Sequence, residues 1–164
     1  MTLESKIANQ LHEDWRRCRQ RADGGFESDW HKVNDKAYLE GLDRNNLPAN
    51  VRVNGGQVEI DVANSDFSQL SPDLQAEHLA SAKVIVGILA ERDELTLDQI
   101  GEKIYAGYLT RHPKLRSENP VTFSDLTEKQ KRGVLRQYRI GLEVLNTCEK
   151  VAEPKNASSK TMTL

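Results

Sequence analysis

The sequence predicts a mainly α-helical fold in which two tandem helix-hairpin units pack into one core, with a small β-hairpin inserted in the first unit. The first observation is a repeat: residues 67–89 recur at residues 123–145 without a gap, and each copy opens on Phe-Ser-x-Leu-Ser/Thr. The second is an earlier match at an offset of 93, which relates residues 7–15 to residues 100–108. Since a single helix pair cannot cover its own apolar faces, two such units are expected to share a core.

The first helix is predicted over residues 3–20. Apolar residues recur there at spacings of four, four, four and three, and so form one stripe: Leu3, Ile7, Leu11, Trp15 and Cys18. Asp23-Gly24-Gly25 then ends the helix.

The segment that follows is weakly patterned until a hairpin signal. Asn34 is a candidate cap for a short helix, and Pro48 closes the segment. The alternating valines on either side of Asn54-Gly55 then predict a two-residue turn, with Val53 opposite Gly56 and Val51 opposite Val58.

Three long helices are predicted in the remainder of the chain. Ser71 followed by Pro72 starts the first, which should be central because residues 84–89 are apolar almost all round. Two capping boxes start the others, and their members are Thr96 with Gln99 and Thr127 with Gln130. The predicted buried stripes are Leu97, Ile100, Ile104 and Tyr108 in the second helix, and Val134, Tyr138, Leu142, Leu145 and Cys148 in the last.

These elements divide the chain into a first unit over residues 1–95 with an insertion at 20–62, a second unit over 96–152, and a tail at 153–164. The polar tail is rich in Ser, Thr and Lys, which predicts disorder.

Charge and cysteine usage narrow the functional classes. The net charge of −2 argues against a protein that coats nucleic acid, although residues 1–95 carry 11 lysines and arginines against 17 acids, and residues 96–150 carry 10 against 7. No apolar signal core or membrane-length run is present, so a cytoplasmic protein without membrane association is expected. Cys18 and Cys148 are accordingly predicted to be buried free thiols.

Short motifs in both units resemble the RyR domain, the repeat of ryanodine receptors that also occurs in small bacterial and phage proteins. The second unit carries Tyr105-x-x-Tyr108 and then Phe123-x-x-Leu126-Thr127, and the first carries Leu11-His12-Glu13-Asp14-Trp15. Tyr105 and Tyr108 stand where the family usually has His and Trp. The resemblance implies a mostly helical fold and a binding or regulatory role, without an established enzymatic activity.

The leading hypothesis is a non-enzymatic binding module that holds a small anionic ligand, such as a nucleotide-like one, or a partner protein, in a groove between the units. An indole face beside a guanidinium group suits planar or phosphorylated groups. The candidate ligand-binding residues are therefore His12, Trp15 and Arg16, with Tyr105, Tyr108 and Phe123 as their counterparts in the second unit. No cofactor is expected.

Two alternatives remain open. A basic stripe on the last helix would suit nucleic acid or an acidic partner, and consists of Lys129, Arg132, Arg136 and Arg139. A hydrolase-type enzyme could be centred on His12 with Glu13 or Asp14, although His12 beside an apolar stripe also suits a structural role. No His-Glu-x-x-His or similar spacing predicts a metal site.

Overall fold

The computed structural model describes residues 1–152, so the predicted disordered tail lies outside the described residues. The fold is mainly α-helical with a small antiparallel sheet, which confirms the predicted fold class. The helices are α1 (Leu3–Arg17), α2 (Lys36–Glu40), α3 (Pro72–Ala90), α4 (Leu97–Arg111), α5 (Pro113–Arg116) and α6 (Glu128–Ala152), and the strands are β1 (Trp30–Lys32), β2 (Val51–Asn54) and β3 (Gln57–Asp61).

Helix α3 packs against α1, α4 and α6 and lies at the centre of the fold. Its side chains Ile85, Ile88 and Leu89 are buried in the main hydrophobic core. Gly141 of α6 is packed so closely on α3 that a Cβ there would overlap Ile85. The apolar character of residues 84–89 is therefore explained by helices on several sides.

The local signals for helix starts are confirmed. Ser71 is the N-cap of α3 with Pro72 in its first turn. Thr96 and Gln99 exchange both hydrogen bonds of a capping box, and Thr127 and Gln130 form the same reciprocal pair. These signals act within three residues, so tertiary packing has little influence on them.

The β-hairpin is present, but its predicted register is wrong. Val51 lies opposite Ile60 and Val53 opposite Val58, so the two-residue turn is Gly55-Gly56. Both glycines have positive φ, at +57° and +79°. A type I′ turn requires positive φ at both central residues, and glycine adopts it without a Cβ penalty.

The insertion contains a further strand that was not predicted. Strand β1 pairs antiparallel with β3 and gives the sheet order β1-β3-β2. Its three residues are too few to show an alternating pattern. The short helix α2 is capped by the side chain of Asp35 rather than by Asn34.

Two predictions of burial are wrong. Helix α1 ends at Arg17, which leaves Cys18 exposed as its C-cap; Cys148 is partly buried, and both thiols are free. In α4, Leu97 is 61% exposed and Tyr108 37% exposed. The buried face of α4 runs instead through Ile100, Gly101, Ile104, Tyr105 and Leu109.

The two repeated segments have the same succession of elements. Each contains a helix, a connector that ends in a 3-10 turn, a hydroxyl N-cap and a long helix. The 3-10 turns are Phe67–Gln69 and Phe123–Asp125, and each begins with a buried phenylalanine. The division into two domains of common origin stays a prediction.

Candidate binding groove

His12 is a buried structural residue in this fold. Its Nε2 atom lies 2.8 Å from the carbonyl oxygen of Ser65. Because a carbonyl can only accept, Nε2 carries the proton, and Nδ1 is buried without a hydrogen-bond partner among residues 1–152. The rings of Trp15, Phe67 and His78 surround the imidazole at centroid distances of 5.4 to 6.1 Å. Burial lowers the pKa of His12, so the ring is neutral at pH 7.

Tyr105, the counterpart of His12 in the second unit, makes the equivalent hydrogen bond to a backbone carbonyl. Its hydroxyl donates a hydrogen bond of 2.6 Å to the carbonyl oxygen of Pro120. Pro120 stands three residues before Phe123, and Ser65 stands two residues before Phe67. In both segments a helical side chain therefore holds the backbone just ahead of the 3-10 turn. Phe123 is 2% exposed and its ring lies on Gly101.

Arg16 is also engaged within the chain. Its Nε donates to the Ala63 carbonyl oxygen at 2.9 Å, and one guanidinium nitrogen reaches Glu13 at 2.9 Å and Asp66 at 3.1 Å. The guanidinium lies 4.5 Å from the ring centroid of Phe26. Arg16 thus fastens α1 to the connector before α3 and has little surface left for a ligand.

The two remaining candidates are partly covered by neighbours. Arg19 lies over the Trp15 ring at 4.4 Å. The Tyr108 ring is 4.5 Å from that of His112. None of the six predicted ligand-binding residues lines the groove between α1 and α6. His12, Arg16 and Tyr105 instead fasten the connectors to the helices.

A concave site lies between α1 and α6, one helix from each predicted unit. Asp14 contacts Arg136, and Lys6 lies 3.5 Å from the sulfur of Cys148, so the two helices run antiparallel. The groove between them has a volume of about 730 Å³. The side chains that line it come almost entirely from these helices: Met1, Lys6, Asn9, Gln10, Asp14, Arg17, Arg136, Arg139, Ile140, Glu143, Val144, Thr147, Cys148 and Val151.

The groove is cationic along its rim. Four basic side chains face two carboxylates, a net of +2 among the lining residues. Arg136 and Asp14 are paired with each other. Arg136 Nε donates hydrogen bonds of 2.9 and 3.0 Å to the Asp14 carboxylate, and these bonds lower the pKa of the Asp14 carboxyl. Arg17 and Arg139 make no ion pair with any residue in the described part of the chain.

The floor of the groove is apolar and follows one face of α6. Ile140, Val144, Cys148 and Val151 are spaced four, four and three residues apart, which aligns them over three helical turns. Ile140, Val144 and Cys148 are only partly buried. Val151 is 81% exposed. No aromatic side chain is among the described residues of the lining.

The predicted basic stripe overlaps this groove in part. Lys129, Arg132, Arg136 and Arg139 are all exposed. Of these, Arg136 and Arg139 line the groove and the other two do not. The sequence reasoning missed Lys6 and Arg17; the signal for them is that Lys6, Gln10, Asp14 and Arg17 recur at spacings of four, four and three along α1, beside its apolar stripe.

Within residues 1–152, no group of three or more His, Cys, Asp or Glu side chains is arranged to hold a metal ion. None of the described helices is both long enough and apolar enough to cross a membrane. Comparison of the chain with protein-family models, with curated proteins and with solved structures gave no match in any of the three. The function is therefore argued from the groove itself.

Proposed function

We propose that this protein is a non-enzymatic binding module whose α1–α6 groove takes an acidic, amphipathic helical segment of a partner protein. The observation that carries the proposal is the pairing of an apolar floor with arginines that have no carboxylate partner among the described residues, Arg17 and Arg139. Acidic residues on a partner would pair with these arginines, and its apolar face would cover the floor. The resemblance to the RyR domain, which implies a binding role, points in the same direction.

The shape and lining of the groove favour a protein segment over a nucleotide. From Ile140 to Val151 the floor extends for about 16 Å along α6. An amphipathic helix matches such a floor with side chains at every third or fourth position. A nucleobase would normally stack on an aromatic ring, and none is present among the described lining residues.

Fluorescence anisotropy would test this proposal with three labelled peptides of about 15 residues, long enough for four helical turns. The first carries Leu and Glu on one helical face, the second has every Glu replaced by Lys, and the third is a scrambled version of the first. We expect only the first to bind, with an affinity that falls as salt is raised because the ion pairs lie at an exposed rim.

A pair of charge-matched variants makes the test specific. Arg17→Glu/Arg139→Glu reverses two groove charges, and we expect it to weaken peptide binding at least about tenfold. Lys129→Glu/Arg132→Glu makes the same change in net charge outside the groove lining, and should bind like the wild type. Equal losses in both variants, or equal binding of all three peptides, would overturn the proposal.

The nucleic-acid alternative keeps one observation in its favour. Lys129, Arg132 and Arg139 are exposed and have no carboxylate partner in the described part of the chain. Binding of labelled duplex DNA at low salt, with a steep loss on raising salt, would support it. In that case Lys129→Glu/Arg132→Glu would abolish DNA binding and Arg17→Glu on α1 would leave it intact.

No observation supports the hydrolase alternative. His12 has no exposed surface, and its only hydrogen bond in the described part of the chain is to a backbone carbonyl. A general base must come within hydrogen-bond reach of a substrate proton, and this ring has no path to one.

A further inference from the structure

The turn between α3 and α4 combines an exposed apolar side chain with several acidic ones, as the occupant proposed for the groove does. It comprises residues 91–98, with a 3-10 turn at Arg92–Glu94 and the first residues of α4. Leu97 projects from it and is 61% exposed. Asp93, Glu94 and Asp98 are exposed around it.

The acidic side chains of this turn are unpaired in the described part of the chain. Asp93, Glu94 and Asp98 make no ion pair and no side-chain hydrogen bond with a described residue. The turn, hereafter the acidic turn, is therefore a protruding apolar residue ringed by unpaired carboxylates. The groove is an apolar floor rimmed by unpaired arginines, so the two surfaces are complementary in charge and each offers an apolar contact.

The acidic turn is on the wrong side of the molecule to fill its own groove. Helix α3, which leads into the turn, packs beneath the α1–α6 pair, where Ile85 approaches both Gly141 and the region of Ile7. The groove residues of α1, such as Lys6 and Gln10, lie on the opposite side of that helix from buried Ala8 and Leu11. A second copy of the chain has no such restriction.

We infer that the acidic turn of one copy docks into the α1–α6 groove of another, so that the protein associates with itself through two different surfaces. This inference rests on the proposed function, because it names a second copy of this chain as an occupant of the same groove. Leu97 would contact the apolar floor near Val144, and the carboxylates would pair with Arg17 and Arg139. Such a contact is heterologous and competes directly with any other acidic segment for the groove.

Sedimentation equilibrium of the full chain over a wide concentration range at low salt tests the inference. We expect the wild type to show concentration-dependent association that weakens as salt is raised. The groove variant Arg17→Glu/Arg139→Glu and the turn variant Asp93→Lys/Glu94→Lys should each self-associate at least about tenfold more weakly. The charge-matched control Lys129→Glu/Arg132→Glu should associate like the wild type.

Mixing the two deficient variants gives the decisive result. The groove variant retains a native turn and the turn variant retains a native groove, so together they should form a 1:1 complex at concentrations where each variant alone is largely monomeric. The Leu97→Ser variant, whose altered side chain is exposed and so leaves folding intact, should also associate more weakly.

The outcomes separate this inference from the function on which it rests. A wild type that stays monomeric at every concentration, or a mixture that forms no complex, overturns self-association. If the turn variant nevertheless binds the acidic peptide by anisotropy, the groove keeps its proposed function. If the wild type associates and the groove variant associates equally well, the contact lies elsewhere and the inference is wrong.

Discussion

The ring of Phe123 lies directly against the backbone of Gly101, in space that any side chain at position 101 would occupy. This contact joins α4 to the 3-10 turn before α6. The close approach requires glycine because a Cβ would overlap the ring.

Gly101→Ala should therefore destabilise the protein, although alanine is the better helix former. Overpacking of a core contact costs about 1–3 kcal/mol of the unfolding free energy. The matched control is Gly133→Ala in α6, where a Cβ meets no atom within 4 Å. That change should stabilise the protein by about 0.5–1 kcal/mol. Urea denaturation of both variants would measure the two effects, and the same sign for both would contradict the packing argument.

Arg16→Lys should weaken the joint between α1 and the connector that follows β3. Lysine cannot reproduce the fork that contacts the Ala63 carbonyl and the carboxylates of Glu13 and Asp66. We expect a loss of about 1–3 kcal/mol in unfolding free energy. Arg19→Lys serves as the control, because Arg19 makes one ion pair of 3.4 Å with Asp29 and its loss should cost under about 1 kcal/mol. Thermal unfolding that ranks the two variants in the reverse order would contradict the assignment.

Tyr105→Phe tests whether the hydroxyl tie to the Pro120 carbonyl contributes to stability. Removing the donor leaves that carbonyl without its partner, which should cost about 1–2 kcal/mol. Tyr108→Phe is the control, because the Tyr108 hydroxyl makes no hydrogen bond with any described residue. Chemical denaturation should show a lower midpoint for the first variant alone; equal midpoints would mean that water replaces the tie.

The two neighbouring histidines, His12 and His78, should make stability depend on pH. Burial, followed by the neighbouring charge of His12, lowers the pKa of His78 from 6.5 to about 4. The unfolded chain then binds more protons than the folded chain between these values, so stability is complete above about pH 6.5 and is lost as the pH falls towards 4. Because His78 is partly exposed, we expect a loss of about 2 kcal/mol rather than the full value of the shift.

Urea denaturation at several pH values would measure this dependence. His78→Gln should flatten the stability profile between pH 4 and 6.5. An unchanged profile in the His78 variant would show that other groups are responsible for the acid sensitivity.

The elements that the sequence predicts well are those encoded locally. The capping boxes at Thr96 and Thr127 and the Ser71-Pro72 start act within one helical turn, so the neighbouring sequence specifies them. Strand β1 and the register of the hairpin depend on pairing with β3 and on the conformation of two glycines. Strand β1 has three residues, which are too few to show the alternating pattern that would indicate this pairing in the sequence.

The candidate site shows why repeated aromatic positions are ambiguous. His12 and Tyr105 recur at the same place in both segments, and the sequence makes both of them candidate ligand-binding residues. The structure instead shows that both tie a connector to its helix, a role that also demands a repeated position. The groove arises where the polar side of α1 meets a helix that begins more than a hundred residues later. No local sequence pattern indicates that two such distant helices pack together. Of the four basic side chains in the groove, only Arg136 and Arg139 belong to the basic stripe that the sequence shows.

The antiparallel pairing of α1 and α6 has a practical consequence for any assay of this protein. Met1 and Val151 both line the mouth of the groove, so a polypeptide attached at the amino terminus emerges directly into it. An affinity tag placed there would compete with a peptide probe or mimic one, above all if the tag carries acidic residues. The exposed Gly55-Gly56 turn belongs to the sheet and lines no part of the groove, which makes it the better position for a fluorophore or a purification handle.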